Sequence, residues 1–130
     1  MLRVFTIIYL SCLMISGPAY SQADPSSEII GALRKGNPGD LGKYFNEMVD
    51  LDIPGFKKLY SKTQASRIIK DFFSNKPVTN VSVNSEGDSS DGSKYTMGNL
   101  TAGGKKYNLY FLLRKSNGEY LIYQLHIQSE

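Results

Sequence analysis

The chain has 130 residues, and its 15 Lys and Arg against 12 Asp and Glu give a formal net charge of +3. This length is enough for one domain and leaves little room for a second. The charge is small and no stretch is strongly basic, so we expect no nucleic-acid partner. One Cys and one His exclude an internal disulfide framework and leave too few ligands for a zinc site. We therefore expect neither a metal nor a cofactor.

Residues 1–21 have the layout of a secretory signal peptide that is cleaved before Gln22. Arg3 supplies the positive start, and an almost unbroken apolar run extends from Val4 to Ile15. The run is too short for a transmembrane helix and no second span follows, so we expect no membrane span. The pattern predicts export to the periplasm or to the extracellular medium.

Two alternatives concern the processing of this segment. Cleavage after Ala23 also fits the pattern of small residues. A lipoprotein signal using Cys12 fits poorly, because Tyr9 stands where that motif has an aliphatic residue and the apolar run continues beyond Cys12. The mature chain, residues 22–130, is predicted to be a single domain without cysteine, which core packing alone must stabilise.

The first half of the mature chain carries helix signals. Asp24-Pro25 is typical of an N-cap followed by the first helical position, and Gly36 can end that helix. Asn37-Pro38 repeats the start signal. A second amphipathic helix is predicted after it, from apolar residues at helical spacing: Leu41, Tyr44, Phe45 and Met48.

A third helix has the clearest pattern. Ser61 and Gln64 form a capping box before an apolar face. That face consists of Ala65, Ile68, Ile69, Phe72 and Phe73. Ahead of this helix, residues 49–53 alternate between apolar and acidic side chains, which predicts a half-buried strand closed by a Pro54-Gly55 turn. Leu59 and Tyr60 are expected on a short returning strand.

From Val78 onward the apolar residues alternate with a period of two. The pattern predicts four antiparallel strands near residues 78–86, 93–101, 106–115 and 119–128, separated by Gly, Asn and Asp turn residues. Helices followed by an antiparallel meander indicate an α+β fold. In such a fold the N-terminal helices pack on one face of a curved antiparallel sheet.

The last turn determines which side chains face the helices. With an Asn117-Gly118 loop of two residues, the residues paired across the hairpin would include apolar residues that face opposite sides of the sheet. We therefore predict a three-residue loop that pairs Lys115 with Glu119 and Phe111 with Tyr123. In this register the apolar residues of both strands lie on one face.

Several packing and turn motifs together cover essentially the whole mature chain. They are Asp52-Ile53-Pro54-Gly55, Tyr60 to Gln64, Lys70-Asp71-Phe72-Phe73, Asp91 to Tyr95, Tyr107 to Leu113 and Tyr120-Leu121-Ile122. With the order of elements, they resemble an exported Bacteroidetes family of domains of unknown function with the nuclear transport factor 2-like (cystatin-like) cone fold. At the end of the last strand that family is expected to have a basic residue, and here it is His126. The resemblance implies the fold and export, and it brings no activity.

Three ionisable side chains are candidates for acid–base chemistry. Parity places His126 on the side opposite Leu125, and this favours a solvated strand residue over a catalytic one. Asp50 and Asp52 could form a paired-carboxylate site. The solvent side of one strand is enough to explain their alternation with apolar neighbours, so we predict no catalytic residue.

Two other charged groups offer weaker signals. Asp88 and Asp91 are loosely similar to a calcium loop, but the acidic alternation and the closing Glu of such loops are missing. Lys57-Lys58 and Lys105-Lys106 are isolated pairs at turns, too sparse for a phosphate-binding surface. We interpret all six as surface residues.

Five aromatic residues are predicted to point into the cone. These are Tyr44, Tyr60, Phe72, Phe111 and Tyr123. If the mouth of the cone is incompletely filled, they could bind a small apolar ligand or a peptide. The alternative is that they fill the core, with their hydroxyls at its rim.

A second apolar set is predicted on the outer face of the sheet. It consists of Tyr110, Leu112, Tyr120 and Ile122, with Leu112 opposite Ile122 in the predicted register. Because a soluble monomer gains nothing from exposing such a patch, we predict a symmetric homodimer that packs sheet to sheet. The alternative occupant is a different protein.

Three functional hypotheses follow. The first is an exported non-catalytic binding or interaction domain, and the second is a homodimeric structural or interaction protein. The third is an enzyme of the isomerase or dehydratase type, a class that this fold can host. It ranks last because the predicted interior lacks an acid–base pair, and fold alone does not imply function.

Overall fold

The architecture is that of a computed structural model, of which residues 24–130 are described, so the predicted signal peptide lies outside the described residues. The helices are α1 (Pro25–Arg34), α2 (Pro38–Leu41), a 3₁₀ turn (Gly42–Tyr44) and α3 (Lys62–Ser74). The strands are β1 (Phe45–Ile53), β2 (Phe56–Ser61), β3 (Val78–Asp88), β4 (Lys94–Ala102), β5 (Lys105–Ser116) and β6 (Glu119–Ser129). None of the described helices is long and apolar enough to cross a membrane.

Both long helices start where the sequence predicts. The side chain of Asp24 accepts a hydrogen bond from the Ser26 amide at 3.2 Å, and Pro25 occupies the first turn. The Ser61 hydroxyl caps α3 by accepting from the Gln64 amide, also at 3.2 Å. Local capping chemistry therefore determines these two boundaries.

The predicted second amphipathic helix is wrong. Helical structure starting at Pro38 ends by Tyr44, and β1 begins at Phe45. Phe45 is 1% exposed because it lies opposite Ile122 of β6, whereas Met48 is 44% exposed. The local spacing of apolar residues is compatible with both a helix and a strand. Packing of Phe45 against the distant strand β6 favours the strand.

The six strands form one sheet in the order β2-β1-β6-β5-β4-β3. All neighbours are antiparallel except β1 and β6, which are parallel. Helix α1 contacts β3, and α3 contacts β1 and β2. We call the helix-covered side the inner face and the opposite side the outer face.

The core lies between the helices and the inner face. Phe111 is completely buried and Phe72 is 9% exposed, so the prediction that both lie in the core is confirmed. Other side chains with no exposure include Ile29, Val49, Leu51, Ile69, Leu100, Leu113, Leu125 and Ile127. The members of this set that lie on strands occupy the alternate positions that face the helices.

The predicted three-residue loop between β5 and β6 is wrong. Ser116 pairs directly with Glu119, so the turn contains only Asn117 and Gly118, with φ of 50° and 83°. Two consecutive positive φ angles are typical of a type I′ turn, whose twist matches that of the flanking strands. The parity conflict is resolved elsewhere by a bulge at Tyr123, which has no partner on β5.

The bulge changes the facing of the residues that precede it in β6. Ile122 pairs with Leu113 and is fully buried on the inner face, and Tyr120 packs against the core on the same side. Leu121 occupies the outer position instead. Phe111 lies opposite Leu125, not opposite Tyr123 as predicted.

Candidate functional site

The outer face carries a row of side chains that crosses all six strands. Register places them side by side in the order Ser85, Met97, Tyr110, His126, Asp52 and Lys57, and we call this set the central row. A neighbouring row contains Tyr95, Leu112, Gln124, Asp50 and Leu59. The β4–β5 part of both rows is mainly apolar, and the β6–β1 part is polar.

His126 lies between an aromatic ring and a carboxylate. Its Nε2 is 3.5 Å from Oδ2 of Asp50, and its ring centroid is 5.3 Å from that of Tyr110. The Nε2 atom is buried and makes no hydrogen bond among the described residues. Burial raises the pKa of the Tyr110 hydroxyl further above neutral pH, and the protonated hydroxyl can donate a hydrogen bond.

The two aspartates on β1 have different partners. Asp50 faces His126, while Oδ2 of Asp52 accepts a 2.6 Å hydrogen bond from Nε2 of Gln128. Sequence parity places Asp50, Asp52 and His126 on solvent-facing positions, and the structure brings them together. The signal that was missed is the parallel pairing of β1 with β6, which local sequence does not encode.

A groove of about 490 Å³ opens over β3 to β6 on the outer face. Its floor is formed by Met97, Tyr110 and His126 of the central row. Its rim includes Asn108 and Gln128. The volume lies within the roughly 300–1,000 Å³ of small-molecule sites.

The five predicted pocket residues do not surround one cavity. Phe111 is fully buried, and Phe72 packs edge to face against Tyr107 at 5.7 Å. Tyr123 lies on the outer face, where the Arg114 guanidinium stacks on its ring at 5.3 Å. Of the remaining two, Tyr60 packs at the edge of the core beside β1, and Tyr44 lines two surface clefts near α1.

The predicted outer patch requires a correction. Tyr110 and Leu112 lie on the outer face, but Tyr120 and Ile122 lie on the inner face because of the bulge at Tyr123. The residues that take part in the observed outer face instead are Met48 and Leu59, which are 44% and 59% exposed, with Met97 at 47%.

The β3–β4 loop uses its acidic groups internally. Asp91 accepts hydrogen bonds from the Ser93 amide and hydroxyl, and these bonds lower the pKa of the Asp91 carboxyl. Asp88 pairs with the Lys94 ammonium at 3.0 Å, which raises the pKa of Lys94. Within residues 24–130, no cluster of three or more His, Cys, Asp or Glu could hold a metal ion.

Comparison with known families identifies the chain. A family model described as a domain of unknown function, DUF4783, matches residues 26–128. The chain belongs to the DUF4783 family. A comparison with curated proteins finds no match.

Solved structures agree with this assignment. A DUF4783 protein from Bacteroides uniformis is 30% identical, with a TM-score of 0.76 over 82% of this chain and 98% of its own. One from Bacteroides fragilis is 28% identical, with a TM-score of 0.75 over 82% of this chain and 100% of its own. A nuclear transport factor 2-like protein of unknown function from Cytophaga hutchinsonii is 16% identical, with a TM-score of 0.58 over 81% of this chain and 86% of its own. The predicted α+β cone fold is thereby confirmed.

Proposed function

We propose that this DUF4783 protein is an exported, non-catalytic binding domain whose working surface is the outer face of its sheet. One observation carries the proposal. Side chains of the central row and a groove of about 490 Å³ are left uncovered on the outer face, while the inner face is filled by the core. Exposed apolar groups beside convergent polar ones are typical of binding surfaces.

Export is supported by the sequence. Arg3 and the apolar run that follows have the composition of a signal peptide. The family match begins at residue 26, so the predicted signal peptide, residues 1–21, falls outside it. The intact mass of the exported protein tests this. We expect an N-terminus at Gln22 or Asp24 without lipid, whereas an acylated Cys12 at the N-terminus would contradict it.

A ligand inside the cone has less support than one on the outer face. The aromatic side chains expected around such a cavity either pack in the core or lie outside it, as Tyr123 does. An enzyme has less support for a related reason. Among the described residues the buried polar side chains are those of Ser26, Ser93 and Thr96, none of which is an acid or a base. The imidazole and carboxylate that do meet, in His126 and Asp50, remain partly open to water, which weakens acid–base chemistry.

Mapping with small organic probes tests the working surface. Phenol and isopropanol are titrated into isotope-labelled protein comprising residues 22–130 while backbone amide NMR signals are followed. We expect the largest shifts at Met97, Tyr110 and Leu112, because small probes gather at exposed apolar sites that are not filled by the protein itself. Shifts confined to residues around α1 and α3 would contradict the proposal.

A homodimer through the outer face is the second candidate. It is favoured by the exposure of Met48 and Met97, with Leu59 beside them on the same face, since methionine is enriched at interfaces. Five strand spacings of about 4.8 Å and a length of about 20 Å give the face roughly 500 Å² of flat area. A standard interface buries about 800 Å² of accessible surface per partner, so this face is near the lower limit for a stable dimer.

Sedimentation equilibrium at tens of micromolar distinguishes the two candidates. Leu112→Arg places a charge among the apolar residues of the face, and Lys70→Ala on the exposed side of α3 serves as the control. A dimer in the wild type that dissociates only in Leu112→Arg would establish the second candidate. A wild-type monomer would remove it and leave the face to another partner.

A further inference from the structure

The groove on the outer face has a lining without formal charge. Apart from His126, its floor and rim contain no Lys, Arg, Asp or Glu side chain. A phosphate or a carboxylate would find no Lys or Arg in the lining and would be repelled by the adjacent carboxylates of Asp50, Asp52 and Glu130. An ammonium group would have to compete for those carboxylates with the side chains that they already contact, and leaving a buried charge unpaired is costly. The occupant that fits is electrically neutral.

Amide side chains determine which hydrogen bonds the rim can offer. Asn84 donates to Oδ1 of Asn99 at 2.7 Å. The Asn99 amino group donates to Oδ1 of Asn108 at 3.3 Å and to Oε1 of Glu130 at 3.1 Å. Gln128 donates its amide to Asp52 at 2.6 Å. This network uses the amino groups of Asn84 and Gln128 and the carbonyl oxygen of Asn108.

The rim atoms that this network leaves unused include both hydrogen-bond acceptors and a donor. Within residues 24–130, the carbonyl oxygens of Asn84 and Gln128 remain as acceptors, and the amino group of Asn108 remains as a donor. Hydroxyl groups, which donate and accept at once, match such a mixed set better than groups that only donate or only accept. The polar requirement is thus a neutral molecule rich in hydroxyls.

The floor adds an apolar requirement. The Tyr110 ring lies beside Met97, which is 47% exposed, so the ligand must also present a face of C–H groups. A sugar ring has such a face, because its axial hydrogens lie on the sides of the ring while its hydroxyls project around the edge. Aromatic rings favour C–H contact through the negative charge of their faces.

We infer that the outer-face groove is a binding site for a neutral saccharide, with Tyr110 as the stacking platform and Asn84, Asn108 and Gln128 as the hydroxyl-binding rim. This inference rests on the proposed function, because it names the ligand class of the same surface. A second copy of the chain covering the face is the competing occupant, and the experiment separates the two.

The test uses isotope-labelled protein of residues 22–130 and three neutral disaccharides: maltose, cellobiose and diacetylchitobiose. Each is titrated to about 10 mM, because a shallow site for a small ligand is expected to bind near the millimolar range. We expect saturable shifts at the backbone amides of Met97, Asn108, Tyr110 and Gln128 with at least one of them. Digalacturonate serves as the charged comparison and is expected to cause none.

Variants identify the contacts. Tyr110→Ala is expected to weaken binding about five- to tenfold, the value of one aromatic contact. Asn108→Leu, which keeps the size of the side chain and removes its donor, is expected to weaken it similarly. Lys70→Ala, on the exposed side of α3 and away from the outer face, is the control and should leave binding unchanged. Thermal unfolding of each variant shows whether the fold is retained.

Failure of the saccharide site can be distinguished from failure of the proposed function. No saturable shift at the groove with any neutral disaccharide overturns the saccharide site, and so does equal binding of digalacturonate. If phenol still maps to the outer face in that case, the working surface stands and only the ligand class falls. If the wild type is a dimer whose groove amides do not respond, the second copy is the occupant.

Discussion

Strand β5 presents its successive residues to two environments, and comparing them shows how one sheet serves folding and binding. Phe111 points inward and is fully buried, with Leu125 opposite it. Its neighbours Tyr110 and Leu112 point outward and are half-buried, beside His126 and Gln124. The inner residues gain their free energy from the core, whereas the outer ones keep apolar area in contact with water, where it stabilises the fold little.

The same contrast holds for polar groups. The inner face has no buried acid or base among the described residues, while the outer face carries Asp50, Asp52 and His126. The ionisable side chains of the outer face are therefore accessible to a partner. A contact with them leaves no unpaired charge in the core. We therefore expect substitutions on the inner face to lower the free energy of unfolding, and substitutions on the outer face to change binding with little effect on stability.

The largest expected effect is on the inner face. Phe111→Ala should lower the free energy of unfolding by about 3–5 kcal/mol, the range for a large buried aromatic side chain. Leu112→Ala, one position along and facing outward, should lower it by less than about 1 kcal/mol. Urea denaturation of both variants checks this, and equal losses would mean that the two faces do not differ in packing.

The next effect tests the bulge that determines the facing of β6. Ile122→Ala should cost about 2–4 kcal/mol because Ile122 is fully buried opposite Leu113. Leu121→Ala, the outward neighbour, should cost less than about 1 kcal/mol. Without the bulge at Tyr123 the order would be reversed, so a larger loss at Leu121 would contradict the observed register.

The smallest effect concerns the β3–β4 loop, which belongs to neither face. Hydrogen bonds from Ser93 lower the pKa of the Asp91 carboxyl, so its contribution to stability is present above the unfolded pKa and is lost as pH falls through the folded value. Ser93→Ala removes the hydroxyl donor and should move the pKa of Asp91 upward toward its ordinary value. Titration of the carboxyl carbon signal by NMR measures the change, and an unchanged pKa would show that this hydroxyl bond does not form in solution.

Local chemistry made much of the fold predictable. The caps at Asp24 and Ser61 and the Pro54-Gly55 turn lie where sequence reasoning put them, and so do the last four strands, with boundaries shifted by one or two residues. Each of these depends on residues within a few positions of one another. Local spacing predicts a helix at Phe45, and that prediction is wrong because the burial of Phe45 depends on β6, almost eighty residues away along the chain.

The site was harder to predict for the same reason. Parity placed Asp50 and His126 on outward positions, but only the parallel pairing of β1 with β6 makes them neighbours. The outer patch was half right, since Tyr110 and Leu112 are in it. Ile122 is not, because a two-residue turn combined with a bulge satisfies parity as well as the predicted longer loop does, and sequence alone does not choose between them.

The most direct test of the working surface repeats the phenol titration on Tyr110→Ala and on the wild type. We expect the variant to keep the wild-type denaturation midpoint within the range of exposed substitutions and to lose the amide shifts at Met97 and Leu112. Lys70→Ala on α3, measured in parallel, should keep both. Undiminished shifts at Met97 and Leu112 in Tyr110→Ala, with the fold retained, would contradict the assignment of the outer face as the surface through which this protein binds.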